Sequence, residues 1–450
     1  VRSVQRSVTF NAGALQQSLA ALEAVAGRPE RYVIAFSGGL DSTVLLHALH
    51  ATSEQHGVPL LAIHVDHGLH DDSGDWARHC ESVATGLGVC HRCLSVAVQL
   101  ESGQGPEASA REARYTALHG ELRGGDWLLS AHHREDQAET LLINLVRGSG
   151  PAGIAGIGKL RPFGPGWLVR PLLDVERVEL ETYAAADGLQ WVEDPSNQDR
   201  RFDRNFLRHE ILPRLKARWP DIAARLQRSA QHASEASQLL ANLAEIDLES
   251  LGGAPERLPI DALTALSSAR QRNLLRHALR SLGLSTPTAL QLRRILEEVI
   301  PAREDAQPLV SWPGAAVRRY RNALYLLPEK LEPAPESVPV SGSRVAVGAG
   351  LGELVFEKSA GRGLAERVFA QGLRLAFRHG GEEFQPYGHR HTRKLKKLLQ
   401  EEGVVPWMRD RLPLLYAGER LVAVGDLWLA ADVVAEPGVA VHWERRPVLH

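Results

Sequence analysis

The sequence predicts an α/β protein in which a doubly wound parallel sheet is followed by a helical domain and a small α+β C-terminal domain. In roughly the first 200 residues, short apolar runs alternate with stretches of helical spacing. This alternation is typical of a parallel sheet covered by helices on both faces. From about 219 to 327 the chain is rich in Ala, Leu, Arg and Gln at helical spacing, and the remainder mixes short strands with one basic helix.

The individual elements can be placed in chain order. The predicted strands of the sheet are Tyr32–Phe36, Leu60–Val65, Val89–Val98 and Trp127–Ser130. The predicted helices between and after them are Ser42–Ala51, Asp75–Gly86, Glu107–Leu122 and Asp136–Arg147. Further along, the spacing predicts a strand over Ala316–Leu327 and helices over Asp221–Ala241, Ala269–Leu282 and Thr392–Glu402.

Shifts in composition predict the domain boundaries. We place the domain with the parallel sheet at residues 1–218, the helical domain at 219–327 and the C-terminal domain at 343–450. The stretch 328–342 is Pro-rich and lacks apolar periodicity, so we predict a linker there.

The bulk composition limits the class of protein. An apolar content of 44% and a charged content of 24% are ordinary for soluble globular domains. Three cysteines are too few for a disulfide framework in 450 residues, and they fit a reducing compartment. We find no secretion signal and no apolar run that could span a bilayer, so we expect a cytoplasmic protein with no membrane partner. The sequence leaves the oligomeric state open, a homodimer included.

Two segments are locally basic although the net charge of the chain is −2. Residues 200–218 carry seven Lys or Arg against two acids, and residues 389–397 carry five against none. Such segments can bind nucleic-acid phosphates, or they can be solvated charged faces.

A glycine loop follows the first predicted strand. Ser37-Gly38-Gly39 leads from the apolar run into a helix that begins near Asp41 and Ser42. Glycines let the backbone approach an anion, and the free N–H groups of a helix start attract it. The hydroxyls of Ser37 and Ser42 add donors. The segment therefore predicts a phosphate-binding loop, with a tight turn that binds nothing as the alternative.

The motif Ser-Gly-Gly-x-Asp-Ser resembles the signature of the PP-loop ATP pyrophosphatases at every fixed position. This resemblance implies that the loop binds ATP, that diphosphate is released and that AMP is transferred. A second glycine motif, Gly153 to Lys159, fits the first part of a Walker loop. However, Leu160 stands where Ser or Thr should bind Mg²⁺ and no strand precedes it, so we expect a Gly-rich loop there.

An acidic helix start follows the last predicted strand. Asp136 and Glu139 are three residues apart and share one helical face. With Asp41 they could meet at the carboxyl edge of the sheet, where open α/β folds bind ligands. Such carboxylates could hold Mg²⁺ or receive an ammonium group, and helix capping followed by solvent exposure is the alternative.

Histidines and cysteines near these motifs allow other interpretations. His132 and His133 could contact ATP phosphates, while the cluster His64, His67 and His70 raises zinc as a rival. The chain lacks the spacings typical of zinc sites. Cys90 and Cys93 form a single C-x-x-C in a predicted strand, and we expect them to be buried free thiols.

Six further motifs resemble the tRNA(Ile)-lysidine synthetase family. They are His64-Val-Asp-His-Gly-Leu69, Glu107-Ala-Ser-Ala-Arg-Glu-Ala-Arg-Tyr115, Asn144-Leu-Val-Arg-Gly-Ser-Gly150, Arg170-Pro-Leu-Leu173, Glu193-Asp-Pro-Ser-Asn-Gln-Asp199 and Asp203-Arg-Asn-Phe-Leu-Arg208. In the tail, Arg393-Lys-Leu-Lys-Lys397 and Pro406-Trp-Met-Arg-Asp410 are also similar to that family. The resemblance covers most of the chain, and residues 219–315 are its least distinctive part.

The resemblance implies a reaction in two steps. ATP adenylates the C2 oxygen of the wobble cytidine in a tRNA(Ile) with a CAU anticodon, and the ε-amine of free L-lysine then displaces AMP. ATP and Mg²⁺ are the implied cosubstrate and metal.

The same resemblance assigns roles to residues of this chain. The implied catalytic residues are Asp41, Asp136 and Glu139. The implied ATP ligands are Ser37, Gly38, Gly39, Asp41, Ser42, His64, Asp66, His67, Arg111 and His133. Asp136 and Glu139 would receive lysine, and Asp41 and Asp136 would bind Mg²⁺. The implied tRNA contacts are Arg204, Asn205, Arg208, Arg393, Lys394, Lys396 and Lys397.

The chain departs from the family pattern at a few positions. Glu135 stands where the family usually has a first Asp, so we leave it out of the predicted site. Phe202 replaces a frequent Tyr, and the stretch from His389 to Arg393 is a basic variant of a glycine-rich one. The rival functions are a PP-loop tRNA thiolase, for which a single C-x-x-C is too little, and a tRNA-binding protein with a decayed ATP site.

Overall fold

The computed structural model describes residues 10–70, 72–98, 106–303, 306–348 and 350–450. Contacts within the chain divide it into two compact units, and the boundary falls between Leu239 and Leu240. None of the helices in the described ranges is both long enough and apolar enough to cross a membrane.

The first unit is built on a six-stranded sheet. Its strands are β1 (Arg31–Ala35), β2 (Leu60–Asp66), β3 (Cys90–Ser95), β4 (Asp126–Leu129), β5 (Leu160–Phe163) and β6 (Gly166–Val169). They lie in the order β3-β2-β1-β4-β6-β5. All neighbouring pairs are parallel except β5 with β6, which forms an antiparallel hairpin. The strand order reverses direction beside β1, so the carboxyl ends of β1 and β4 flank the crevice where such sheets bind ligands.

Helices cover both faces of this sheet. The helices are α1 (Ala12–Ala26), α2 (Leu40–Ala51), α3 (Ser53–His56), α4 (Ser73–Gly86), α5 (Pro106–Glu121), α6 (Arg134–Val146), α7 (Pro151–Ile154), α8 (Arg177–Ala186), α9 (Asp203–Phe206) and α10 (Leu212–Arg218). Along β1, Tyr32 and Ile34 belong to one apolar core and Val33 to the other. This alternation places a core on each side of the sheet and confirms the doubly wound fold.

A 29-residue helix, α11 (Ile222–Ser250), runs from the first unit into the second. The second unit then continues with α12 (Ile260–Ala265), α13 (Ser268–Ser281) and α14 (Ala289–Arg294). These helices accompany an antiparallel sheet of β7 (Arg257–Pro259), β8 (Leu309–Trp312), β9 (Ala315–Tyr320) and β10 (Ala323–Leu327). The sequence predicted the piece 316–327 of this sheet as a single strand, and the structure divides it into a hairpin at Arg321 and Asn322.

The C-terminal part contains two five-stranded sheets and one two-stranded ribbon. One sheet consists of β11 (Val338–Val340), β15 (Leu373–Ala376), β18 (Leu414–Ala417), β19 (Arg420–Val424) and β20 (Trp428–Leu429). The other consists of β12 (Arg344–Ala346), β13 (Glu353–Ser359), β14 (Gly363–Leu364), β21 (Val434–Ala435) and β22 (Gly438–Glu444). The helices are α15 (Glu366–Ala370) and α16 (Leu395–Glu402).

Two sequence predictions differ locally from this part of the structure. The predicted basic helix 392–402 begins only at Leu395, because Arg393 and Lys394 form β17 and pair with β16 (Glu383–Phe384). The Pro-rich stretch 328–342 ends in β11, which pairs with β15.

Candidate functional site

The glycine loop connects β1 to α2 and is held by short local contacts. Gly38 has a φ of +79°, in the left-handed region that glycine adopts without strain. Gly39 is the N-cap of α2. The Ser42 hydroxyl lies 3.0 Å from the Ser37 hydroxyl and donates to the carbonyl of Gly39 at 3.0 Å. The loop therefore presents hydroxyls and the free N–H groups of a helix start together, as an anion site requires.

His133 lies fully buried at the start of α6, and carboxylates surround its ring. Its Nε2 lies 3.7 Å from Oδ2 of Asp41 and 3.5 Å from Oδ2 of Asp136. Its backbone N–H donates to Oδ2 of Asp136 at 2.9 Å, which closes a capping box. The N-terminus of α6 thus brings the predicted pair Asp41 and Asp136 to one imidazole.

Glu139 and Asp136 share a guanidinium. Arg208 donates to Glu139 through Nε (2.7 Å to Oε1) and Nη2 (3.0 Å to Oε2), and its Nη2 also lies 3.1 Å from Oδ1 of Asp136. Glu139 is completely buried. A buried carboxylate needs such a partner, because leaving it unpaired is strongly unfavourable. Arg208 therefore neutralises Asp136 and Glu139, the two carboxylates that are predicted to bind the substrate lysine.

Glu135 is a member of this site that sequence reasoning left out. Its Oε2 lies 3.1 Å from Nδ1 of His133 and accepts the backbone N–H of Arg177 at 3.0 Å, and its Oε1 accepts from Lys216 at 2.7 Å. The longer side chain thus reaches two distant segments and the histidine together. Only the position of Glu135 beside Asp136 in the sequence could have indicated this role.

The electrostatics of the cluster follow from these contacts. Burial opposes protonation of His133, but Asp136, Glu135 and Asp41 outweigh it and raise the His133 pKa to about 9. Burial also opposes ionisation of Asp136, yet His133 and Arg208 lower the pKa of Asp136 to about 2. For Glu139 burial prevails over Arg208 and raises the pKa. The pKa of Asp41 is raised by burial and by the Asp136 carboxylate, against the opposing effect of His133.

A cavity of about 530 Å³ joins the loop to the acidic helix. The predicted site residues that line it are Ser37, Gly39, Asp41, Ser42, Arg111, Asp136 and Arg208. His132 also lines it, and burial lowers the pKa of His132 to about 3. His133 lines a smaller cavity of about 250 Å³ with Glu135, Glu139 and Lys216. Its assignment as an ATP ligand remains a prediction.

A second cavity, of about 440 Å³, adjoins the end of β2 and contains the predicted adenosine contacts His64, Asp66 and His67. Nδ1 of His64 lies 3.1 Å from the carbonyl of Phe36, which precedes the glycine loop. Asp66 accepts the backbone N–H of Gly68 at 2.8 Å. Nε2 of His67 accepts from Arg114 at 3.2 Å, and burial together with Arg114 lowers the His67 pKa to about 4. His67 is therefore neutral and its ring can accept hydrogen bonds at neutral pH.

Of the predicted RNA contacts, three belong to the first unit and are already bonded within it. Arg204 donates to the Thr140 hydroxyl at 3.0 Å. The Asn205 amide donates to the carbonyls of Ser196 (2.9 Å) and Asp199 (3.0 Å). The other four lie in the second unit, where Arg393 forms an ion pair with Glu401 at 2.8 Å between Nη1 and Oε2.

The cysteine prediction requires a correction. All three cysteines are free, but Cys90 and Cys93 are exposed and only Cys80 is buried. The reason is that β3 is the edge strand of the sheet. Residues three apart on a strand point to opposite faces, so this pair cannot bind one metal ion or cluster jointly. The glycine motif from Gly153 to Lys159 begins inside α7, not after a strand as a Walker loop does, and Gln137 of α6 bonds to Ala155 and Ile157 within it.

Comparison with known proteins now identifies the family. The PP-loop domain family matches residues 12–215, the TilS substrate-binding domain matches 258–325 and the TilS substrate C-terminal domain matches 373–443. The tRNA(Ile)-lysidine synthase of Alkalilimnicola ehrlichii is 43% identical over 94% of this chain and 95% of its own length. That of Methylococcus capsulatus is 41% identical over 92% of this chain and 96% of its own. The chain belongs to the tRNA(Ile)-lysidine synthase family.

The PP-loop match includes the glycine loop and the acidic cluster except Lys216. All the loop, α6 and Arg208 positions fall within the matched PP-loop domain. Among solved structures, a U34-tRNA thiolase from Methanococcus maripaludis is similar over 50% of this chain and 80% of its own, with a TM-score of 0.41 and 18% identity. That likeness is too weak to support an argument about function.

Proposed function

We propose that this member of the tRNA(Ile)-lysidine synthase family ligates free lysine to C2 of the wobble cytidine of a CAU-anticodon tRNA(Ile), with ATP as the source of the activating AMP. One observation carries the proposal: the glycine loop and the carboxylates Asp41 and Asp136 line the same 530 Å³ cavity. A cavity of this size can hold a nucleotide tail beside a reacting base.

The loop would bind the part of ATP that leaves. Ser37, Ser42 and the N–H groups at the start of α2 supply donors, and the helix dipole adds to their attraction. Contacts that stabilise the departing diphosphate favour attack at the α-phosphorus. In this step the C2 oxygen of cytidine bonds to that phosphorus and the bond to diphosphate breaks.

Asp41 would hold Mg²⁺ together with Asp136. Oδ1 of Asp41 is buried and has no hydrogen-bond partner among the described residues, so it fits a cation. No three His, Cys, Asp or Glu residues in the described ranges form a metal cage. Mg²⁺ characteristically combines one or two carboxylates with substrate phosphates. The ion would neutralise charge on the departing diphosphate.

Asp136 and Glu139 would receive the lysine ammonium and remove its proton. The neutral amine attacks C2, the bond from C2 to the AMP oxygen breaks, and AMP departs. With its lowered pKa, Asp136 suits binding of a cation, whereas the raised pKa of Glu139 makes it the better proton acceptor. Because Arg208 bonds both carboxylates, lysine must share these oxygens with Arg208 or displace it.

The RNA would approach from the side of the basic segment 200–218, which borders the 530 Å³ and 440 Å³ cavities through Arg208. The tail residues Arg393, Lys394, Lys396 and Lys397 belong to the same proposal as further phosphate contacts. We also propose a cytoplasmic location, because none of the three cysteines forms a disulfide.

The test is incubation of the protein with ATP, isotopically labelled lysine and bulk tRNA, followed by nucleoside analysis. We expect the label on a cytidine derivative, and no label when the tRNA(Ile) carries uridine at the wobble position. A labelled product that is not a cytidine adduct, or cytidine modified without lysine, would overturn the proposal.

A further inference from the structure

The proposed reaction needs a flat surface for a base. A base that reacts at C2 must leave the stack of its anticodon loop, and proteins hold such bases by stacking them on aromatic rings. The 530 Å³ cavity has three Phe, Tyr or Trp side chains in its wall: Phe36, Tyr115 and Trp191.

Two of these rings already pack against other groups of the protein. Phe36 is 1% exposed and packs in the core beneath the sheet edge. Tyr115 contacts the ring of Phe163 at 5.7 Å between centroids, and the guanidinium carbons of Arg111 and Arg161 lie 5.3 and 5.9 Å from its centroid. Neither ring offers a free face.

Trp191 is different. It is 37% exposed, and within the described part of the chain its ring contacts no other aromatic ring and no cation. The indole ring at the wall of the cavity therefore has a face open to a planar ligand.

The backbone fixes Trp191 beside the phosphate loop. The N–H of the next residue, Val192, donates to the carbonyl of Gly38 at 2.9 Å. At the other end of the same segment, the carbonyl of Ser196 accepts from Asn205, and that of Asn197 lies 3.0 Å from Nε2 of His209. The segment 191–197 therefore connects the phosphate loop to the basic segment proposed to meet RNA.

We infer that Trp191 is the stacking platform for the reacting cytosine. This inference rests on the proposed function and adds a specificity residue to it. The adenine of ATP is the other planar base at the site, but its proposed contacts His64, Asp66 and His67 line the 440 Å³ cavity, and Trp191 does not. Because Val192 bonds to Gly38, stacking on Trp191 would hold the cytosine ring on the part of the cavity wall beside the phosphate loop.

The test uses full-length protein and a tRNA(Ile) that carries a fluorescent cytidine analogue at the wobble position, with an ATP analogue that cannot be cleaved. Wild type should quench the analogue. Trp191→Phe should retain most of the quenching, whereas Trp191→Leu and Trp191→Gln should lose it while still binding the RNA. Trp219→Leu is the matched control, because Trp219 is also exposed (43%) but lies outside the cavities and has Arg218 over its ring at 5.6 Å.

Two further measurements separate the outcomes. With unmodified tRNA, Trp191→Leu should lower kcat/KM for RNA by about 10- to 100-fold, as loss of one base–aromatic stack does. Its affinity for ATP without RNA should stay that of wild type. Quenching retained in Trp191→Leu, or ATP affinity lost without RNA, overturns the inference. Failure of the wild type to form a lysine adduct would instead overturn the proposed function, and the quenching assay, which needs no turnover, still tests Trp191.

Discussion

The glycine loop and the acidic start of α6 face the same cavity, yet they are built in different ways. The hydroxyl contacts of the loop lie within six residues, from Ser37 to Ser42. At the start of α6, Glu135 reaches the backbone of Arg177 and the side chain of Lys216, 42 and 81 residues away, and Asp136 reaches Arg208, 72 residues away. The loop is thus mostly a local motif, tied to the rest of the unit by one long-range bond from the N–H of Val192 to the carbonyl of Gly38. The acidic cluster exists only because distant basic groups neutralise it.

The largest effect should come from Asp136→Asn, which removes the charge that His133, Arg208 and the proposed ligands share. We expect lysine transfer to RNA to fall by about 10³-fold, the range seen when a key electrostatic group is lost. Asp75→Asn is the matched control, because Asp75 also lies in the first turn of a helix but has a side chain that is 66% exposed. Near-normal single-turnover rates in Asp136→Asn would contradict the assigned role.

The next effect concerns stability. Arg208→Met should leave the fully buried Glu139 without its bidentate partner and lower the free energy of unfolding by about 3 kcal/mol. Arg214→Met removes an arginine that is 79% exposed and lies 3.5 Å from Glu210, and it should cost less than about 0.5 kcal/mol. Urea unfolding measures both. Equal values for the two variants would mean that the acidic cluster does not depend on Arg208.

The loop can be tested with two glycines. A Cβ at Gly38 would lie 2.8 Å from Sγ of Cys80 and 3.2 Å from Cγ2 of Val192, whereas a Cβ at Gly188 would meet nothing within 4 Å although its φ is also positive, +63°. Both Ala variants carry the backbone strain of about 1 kcal/mol, but Gly38→Ala should lose about 2 kcal/mol in total and bind ATP more weakly. Calorimetric titration with ATP should show no loss for Gly188→Ala. Weakened binding in both variants would mean that the contacts around Gly38 are not decisive.

The charge of His133 gives the acidic cluster a pH dependence. Its folded-state pKa, about 9, exceeds the ordinary value of 6.5, so its contribution to stability is complete below pH 6.5 and is lost as pH rises through 9. Without ATP, the free energy of unfolding should therefore fall by about 2 kcal/mol more between about pH 7 and pH 9.5 in wild type than in His133→Gln. Parallel curves for the two proteins would show that His133 is not charged in the folded state.

The smallest effect should come from Cys90→Ala with Cys93→Ala. The two thiols are exposed on the edge strand β3 and point to opposite faces of the sheet. The double variant should transfer labelled lysine to tRNA at the wild-type rate. A complete loss of activity would instead favour a thiolase that needs these cysteines, and the loop and the acidic cluster would then not explain the activity by themselves.

The fold was predictable where physical signals are local. Buried parallel strands read as apolar runs, and β1 and β2 end within one residue of their predictions. The antiparallel sheet β7-β10-β9-β8 was seen only in part, because its strands are short and lie among helices. The exposure of Cys90 and Cys93 depends on the strand order, which the local pattern does not contain.

The site residues also divide into those that local sequence signals predict and those that depend on the folded chain. Ser37, Asp41 and Asp136 line one cavity, as expected from strands whose carboxyl ends meet at one edge of the sheet. Sequence reasoning missed Glu135 and Lys216, and it assigned Arg208 to RNA without its contacts to Asp136 and Glu139. These ion pairs join residues far apart in the chain, and only the folded structure brings them within reach.

In the proposed reaction, the loop beginning at Ser37 directs AMP, not a terminal phosphoryl group, to the RNA. The direct measurement is the nucleotide balance in a reaction of purified protein with ATP, lysine and tRNA(Ile). We expect one AMP and one diphosphate for each lysine joined to cytidine. Formation of ADP and inorganic phosphate in step with modification would contradict it.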